Sequence, residues 1–330
     1  MIEIDVDFNL LEARLADLQP VGLRPLVGGA SSLSYVATGT VDGAARRMVV
    51  KVAPPGLAPV RNRDVLRQAA LLRRLATTDV PVPAVLWEDA GDPPEVPPIF
   101  VMSFVEGTSL EPLFDDDPDA AGDEATVVAE RMRDAVRVLA SLHAVEPAAI
   151  GLGAEPVVSL GAEVARWSRA LGTVDPALAP GWEKVADSLA ATAPPAMEPA
   201  IIHGDYRLGN MLATGPSVTA VIDWEIWSVG DPRVDLGWFL INADPAIYRR
   251  PSRYAGVLPT PEELAAAYAD RLGAPVAALD WFRALACFKS TATWSLIIKH
   301  ARRRPTPDRT AEEMAGTLGG LVARAAELVG

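Results

Sequence analysis

The spacing of apolar positions changes several times along the chain. Leu11, Leu15 and Leu18 recur at intervals of four and three, which predicts a short amphipathic helix over 8–19. The stretch RPLVGGASSLSYVATGTVDGAARRMVVKVAPP then reads as strand, Gly/Ser loop, strand, a turn at Asp42-Gly43, and strand. The last of these, MVVKVA, sets Lys51 among β-branched residues, and Pro54, Pro55 and Pro59 end it. Helical spacing returns over 60–77, with Val65, Ala69, Leu72 and Ala76 on one face. VPVPAVLWEDA and PPIFVMSFV read as two further strands around a Pro-rich loop. The first hundred or so residues are therefore predicted to be mostly antiparallel β with one inserted helix.

The character changes near Glu106-Gly107. A long helix is predicted over 126–145, with Met132, Val136, Leu139 and His143 on one stripe, and further helices over 158–172 and 181–192. Three short β-like pieces, AIIHGD, NMLAT and VTAVIDW, lie between 200 and 223. From about 232 the chain reads as helical, with Pro/Gly breaks near 244–261 and 272–275. There is no repeat of solenoid length. The expected organisation is a small β-rich lobe over 1–104, a linker near 102–108, and a larger, mainly helical lobe over 105–330.

Composition narrows the function classes. A length of 330 residues is more than one ordinary core needs, which agrees with two lobes. The net charge of −13 argues against general nucleic-acid binding, which rewards positive surfaces. The single cysteine, Cys287, builds neither a disulfide framework nor a cysteine zinc site, and it reads as buried bulk. The N-terminal residues lack the pattern of a signal peptide, and no apolar run approaches membrane-span length. A soluble, cytoplasmic protein with no membrane partner is expected.

The chemistry concentrates in IIHGDYRLGNMLATGPSVTAVIDWEIWSVGDPRVDLGWFL, residues 201–240. Gly204 permits a tight turn that presents Asp205 at a strand end. Asn210 follows five residues on, and a hairpin then leads to Asp223 at the end of a second apolar strand. Asn and Asp oxygens are hard ligands, and two of them with water and phosphate oxygens suit Mg²⁺. Asp205 is then left to orient or deprotonate a hydroxyl.

This D-x-x-x-x-N spacing, with an aspartate thirteen residues beyond the asparagine, resembles the catalytic segment of the protein-kinase-like fold. HGD and IDWE, in place of HRD and DFG, resemble the aminoglycoside phosphotransferase family. The whole block is most similar to a branch that occurs alone in bacteria and fused to acyl-CoA dehydrogenase domains in larger proteins. The resemblance implies an α+β, bilobal kinase-like fold: a small antiparallel β lobe with one helix beside a larger helical lobe. It implies Mg²⁺-dependent transfer of the γ-phosphoryl of ATP (or GTP) to a hydroxyl of a small acceptor.

By the same resemblance, Asp205 is the catalytic base and Asn210 and Asp223 hold the metal. Lys51 pairs with the nucleotide phosphates. The loop Gly28-Gly29-Ala30-Ser31-Ser32 covers those phosphates, and Met102 to Phe104 form the hinge against adenine. Asp235 braces the catalytic loop, and His203 shapes it.

Two departures stand out. Gln68 occupies the place where relatives usually present a glutamate to the lysine, and Asp64, one turn earlier, is a possible substitute. GGASSLS is not the protein-kinase G-x-G-x-x-G. Gln68 is also the feature that favours a second class of function, a nucleotide-binding pseudokinase or scaffold.

For the acceptor, the seven acidic residues within 111–124 permit an aminoglycoside-type polycation. Arg249, Arg250, Arg253 and Arg302 to Arg304 favour an anionic, hydroxyacyl-type metabolite instead. Trp224, Trp227 and Trp238 read as core, with Trp227 a possible border of the acceptor cleft. His143 reads as a satisfied core histidine.

Overall fold

The computed structural model describes residues 8–26, 32–114, 124–248, 252–254, 256–306 and 308–330. The chain divides into two compact units, one of Met1–Thr108 with Thr219–Trp227 and one of Ser109–Val218 with Ser228–Gly330. The first crossing lies four residues from the expected 104/105 boundary. The return of Thr219–Trp227 to the first unit has no counterpart in the sequence reading.

The first unit begins with α1 (Phe8–Arg14) and a 3₁₀ turn over Ala16–Leu18. A five-stranded antiparallel sheet follows: β1 (Val21–Pro25), β2 (Leu33–Val41), β3 (Ala44–Val52), β4 (Val85–Asp89) and β5 (Ile99–Ser103), in the order β1-β2-β3-β5-β4. Side chains alternate between faces along a strand, so β3 serves two environments. Met48, Val50 and Val52 join Leu11, Leu15, Leu18, Ile99 and Val101 in one apolar cluster. Val49 and Lys51 point the other way, paired across the ladder with Met102 and Phe100 of β5. Between β3 and β4 runs α2 (Val65–Leu75), which buries Val65, Gln68, Ala69, Leu72 and Leu75 at helical spacing and packs on β4 and β5.

Hydrogen bonds explain why Thr219–Trp227 belongs here. Val221 N–H donates to Pro81 O at 2.8 Å. Arg67 of α2 donates to Trp227 O at 3.0 Å and lays its guanidinium 3.6 Å over the Trp227 ring.

The second unit contains α3 (Ala125–His143), β6 (Val157–Val158), α4 (Leu160–Leu171), α5 (Trp182–Ala191), β7 (Ala200–Ile202) and β8 (Met211–Thr214). The chain crosses between units within β9 (Ser217–Val221) and returns just ahead of β10 (Ser228–Gly230). Then come α6 (Arg233–Ala243), α7 (Pro245–Tyr248), α8 (Pro261–Leu272), α9 (Leu279–Ala301), α10 (Arg309–Ala315) and α11 (Leu318–Val329). β10 pairs parallel with β6 and antiparallel with β7. Neither β6 nor β10 was legible in the sequence, because two or three residues cannot display an alternation.

The core of this unit is built around α9, every residue of which is buried from Trp281 to Ala292. A helix enclosed on all sides carries no amphipathic stripe. α6 crosses it at Gly237, where a Cβ would lie 2.6 Å from Phe282 O. Only a glycine there lets the two backbones meet so closely.

Candidate active site

In the first unit the β3 register aims Lys51 at the α2 side of the sheet. Its Nζ donates to Asp223 Oδ1 at 3.1 Å and stands 3.4 Å from Gln68 Oε1. Lys51 and Gln68 are buried, and the Asp223 side chain is 31% exposed, so the carboxylate remains reachable. Asp223 adopts a left-handed backbone (φ 64°), which aspartate tolerates better than bulkier residues. Leu72, Pro83, Phe100, Met102, Ile222 and Trp224 complete an apolar pocket with these three polar groups.

Asp64 does not substitute for the missing glutamate. Its carboxylate accepts from Arg67 N–H at 3.0 Å and caps α2. Met102 lines the pocket, whereas the Phe104 ring lies under Arg47, 3.6 Å from its guanidinium carbon. Ser32 is buried just ahead of β2. Gly28, Gly29 and Ser31 lie outside the described residues.

In the second unit the strand β7 ends at Ile202 and the chain turns through His203 and Gly204 (φ 86°) to Asp205. The turn is held by buried Asp235, which accepts His203 N–H at 2.6 Å and Gly204 N–H at 2.8 Å. His143 donates or accepts at Tyr268 Oη through Nδ1 at 2.7 Å, while its Nε2 stands 3.6 Å from Asp235 Oδ2. That last separation exceeds hydrogen-bond length, so the attraction is electrostatic. Burial pushes the Asp235 carboxyl up, but His143, His203 and the Gly204 N–H outweigh it and hold the group below its ordinary value. His203 Nδ1 accepts Asp205 N–H at 3.1 Å, which fixes the next residue in turn.

Asp205 receives donors on both oxygens. Asn210 Nδ2 lies 2.7 Å from Oδ2, and Trp238 Nε1 lies 2.8 Å from Oδ1. Arg207 Nε stands 3.3 Å from each. Arg207 also donates to Glu111 Oε2 at 2.9 Å, and that oxygen accepts Gly209 N–H at 3.2 Å. Burial raises the Glu111 carboxyl against the pull of Arg207. Desolvation would lower the Arg207 guanidinium, but Asp205 and Glu111 raise it instead.

Because Asn210 spends its amide hydrogens on Asp205, its Oδ1 is the oxygen it can offer to a cation. No cluster of three or more His, Cys, Asp or Glu set to hold a metal occurs among the described residues. A magnesium ion needs no such cage when phosphates supply most of its ligands.

Sequence reasoning missed Glu111, Arg207, Trp238 and Lys289. Arg207 lay within the motif and was legible there. Lys289, on α9, is buried, donates to Gly204 O, and sits 3.9 Å from the Trp238 ring centroid. Its only signal was the scarcity of lysine, four in the chain. Several arginines credited with anion recognition are otherwise engaged. Arg302 pairs with Glu312 at 2.8 Å, Arg304 with Asp308 at 3.6 Å, and Arg253 donates to Tyr254 Oη at 2.7 Å. Arg249 and Arg250 lie outside the described residues.

A model described as the phosphotransferase enzyme family matches residues 22–285. The chain is 24% identical over 287 residues to mouse (Mus musculus) acyl-CoA dehydrogenase family member 10, covering 81% of this chain and 26% of that protein. It therefore spans about a quarter of the relative's length. A candidate aminoglycoside phosphotransferase of Ralstonia eutropha JMP134 superposes with a TM-score of 0.75 at 22% identity, covering 98% of each chain. A thermostable aminoglycoside phosphotransferase mutant, solved with AMP-PNP and hygromycin B, gives 0.62 at 16% identity over 96% of this chain and 98% of that one. These likenesses establish the kinase-like fold expected from the sequence.

Proposed function

Since the chain belongs to the aminoglycoside phosphotransferase family, we propose that it transfers the γ-phosphoryl of ATP (or GTP) to a hydroxyl of a small molecule. The observation that carries this reading is the hold on Asp205. Asn210 and Trp238 each bind one of its oxygens, and the side chain is still 28% exposed. A carboxylate fixed by two neutral donors, with the Arg207 guanidinium 3.3 Å away and one side open to solvent, is arranged to align an acceptor hydroxyl and take its proton.

Lys51 would exchange part of its contact with Asp223 for the nucleotide phosphates. Asn210 Oδ1 and the Asp223 carboxylate would hold Mg²⁺, which when bound neutralises charge on the phosphates. Met102 and the apolar pocket around it would receive the base. Gly28, Gly29, Ser31 and Ser32 would cover the phosphates, Gln68 would steady Lys51, and Phe104 would complete the hinge. Catalysis of this kind is mainly positioning and charge neutralisation. The kinship with an acyl-CoA dehydrogenase family member leads us to favour a hydroxyacyl-type acceptor, in the cytoplasm, over an aminoglycoside.

The test is thermal unfolding with ATP or GTP, with and without Mg²⁺, on wild type and Asp223→Ala. A ligand of the folded state at 100 times its Kd adds about 2.7 kcal/mol. The expected result is a Mg²⁺-dependent rise in Tm that Asp223→Ala loses. Absence of any nucleotide shift would move the pseudokinase reading, whose mark is Gln68, to the front. Asp205→Ala should keep the shift and lose turnover, and an unchanged rate would sink the mechanism.

A further inference from the structure

Lys289 is a buried cation in the middle of α9, and nothing in the transfer reaction as described uses it. A buried charge is retained only where it is paired. Its partners converge on one place. Nζ donates to the carbonyl of Gly204, the residue before Asp205. It lies 3.9 Å from the Trp238 ring centroid and 5.7 Å from that of Trp167. Trp167 is itself fixed by donating to Glu163 at 3.1 Å. The polar edge of Trp238 donates to Asp205 Oδ1.

One ammonium thus grips the loop backbone on one side of Asp205 and the indole that holds its carboxylate on the other. The close passage of α6 and α9 at Gly237 puts Trp238 and Lys289 within reach of each other. Burial pulls the Lys289 ammonium below its ordinary value; Asp205, Asp235 and Glu163 oppose that pull, and Arg166 adds to it.

We propose that Trp238 is a positioning residue for the Asp205 carboxylate and that Lys289 is the tether that locks indole and loop together. The indole N–H sets the direction of the carboxylate, and the ammonium prevents the ring and the Gly204 peptide from moving independently. The proposal rests on Asp205 serving the acceptor hydroxyl.

The experiment uses the full chain with Mg·ATP and water as the acceptor, read as ADP release. In that reaction a water oxygen bonds to the γ-phosphorus, the bond to the β,γ-bridging oxygen breaks, and the water proton passes to Asp205. Trp238→Phe keeps the ring and its contact with Lys289 but deletes the donor. The expected result is a fall in kcat of about tenfold or more, with the KM for Mg·ATP unchanged. Lys289→Met should lower kcat in the same way, and Lys289→Arg should recover part of it.

A second readout does not need turnover. The indole ¹H–¹⁵N resonance lost in Trp238→Phe identifies Trp238, and it should move upfield in Asp205→Ala and shift in Lys289→Met. A Trp238→Phe enzyme with wild-type kcat, or an indole signal indifferent to Asp205→Ala, overturns the proposal. If Asp205→Ala itself hydrolyses at the wild-type rate while moving the indole signal, the failure lies with the role given to Asp205.

Discussion

Lys51 Nζ stands 3.4 Å from Gln68 Oε1, a neutral acceptor at a place where charge would hold a lysine more firmly. The other end of the same amide, Gln68 Nε2, is buried without a hydrogen-bond partner among the described residues. An unsatisfied buried donor costs roughly 1–3 kcal/mol. Gln68→Glu removes that donor and adds a charge opposite Lys51, so it should raise Tm and lower the KM for Mg·ATP. Gln68→Ala should raise that KM severalfold. Steady-state kinetics at fixed Mg²⁺ with a thermal melt decide both.

Asp235 ties the turn before Asp205 through two backbone N–H groups. Asp235→Ala leaves both donors unsatisfied and should cost about 3 kcal/mol, visible as a drop of several degrees in Tm. The pH dependence has a definite sign. The folded carboxyl titrates below its ordinary 3.8, so its contribution is complete above that value and is lost as pH falls through the lower, folded one. Acid unfolding of wild type should be steeper than that of the variant.

At the alkaline end the sign reverses. Burial pushes the Cys287 thiol from 9.0 up to about 12, and it raises the hydroxyls of Tyr206, Tyr248 and Tyr268 as well. Between about pH 9 and 12 the unfolded chain releases protons that the folded one keeps, so stability falls as pH rises. One such group contributes a slope of about 1.4 kcal/mol per pH unit. Denaturant titrations of Cys287→Ala should show a shallower decline from pH 9 upward, whatever the variant's absolute stability.

Gly209 faces the far end of Arg207. A Cβ there would lie 2.1 Å from Arg207 Nη1 and 2.9 Å from Glu111 Oε2. The obstacle is a flexible side chain, so Gly209→Ala should still fold, with a lower Tm because buried Glu111 loses its cation. It should also push the guanidinium off its contacts with Asp205 and Glu111. A fall in turnover at temperatures where the variant is still fully folded is the expected signature, and wild-type kinetics there would show that Arg207 does not bear on the reaction.

How much of this was legible from residues alone differs between the two units. The β3 placement of Lys51 followed from its apolar neighbours, and the Asp205–Asn210 spacing from a single loop. Both are local patterns, and local patterns survive in sequence. The partners of Asp205 beyond that loop were not legible. Trp238 sits on a helix with no amphipathic stripe, and Lys289 is enclosed on a second one. Periodicity records which face meets the core, and a helix buried all round has no face to record. Asp64 shows the opposite error: its position looked suited to Lys51, but capping α2 had a prior use for its carboxylate.

The chain crosses between the two units after Thr108, after Val218 and after Trp227. A protease nick or stop codon anywhere between 109 and 218 would therefore sever Lys51 from Asp223, although both belong to the same compact body. No single cut liberates that body whole. In recombination it must travel as the continuous block 1–227, which carries Asp205 and Asn210 of the other unit along with it.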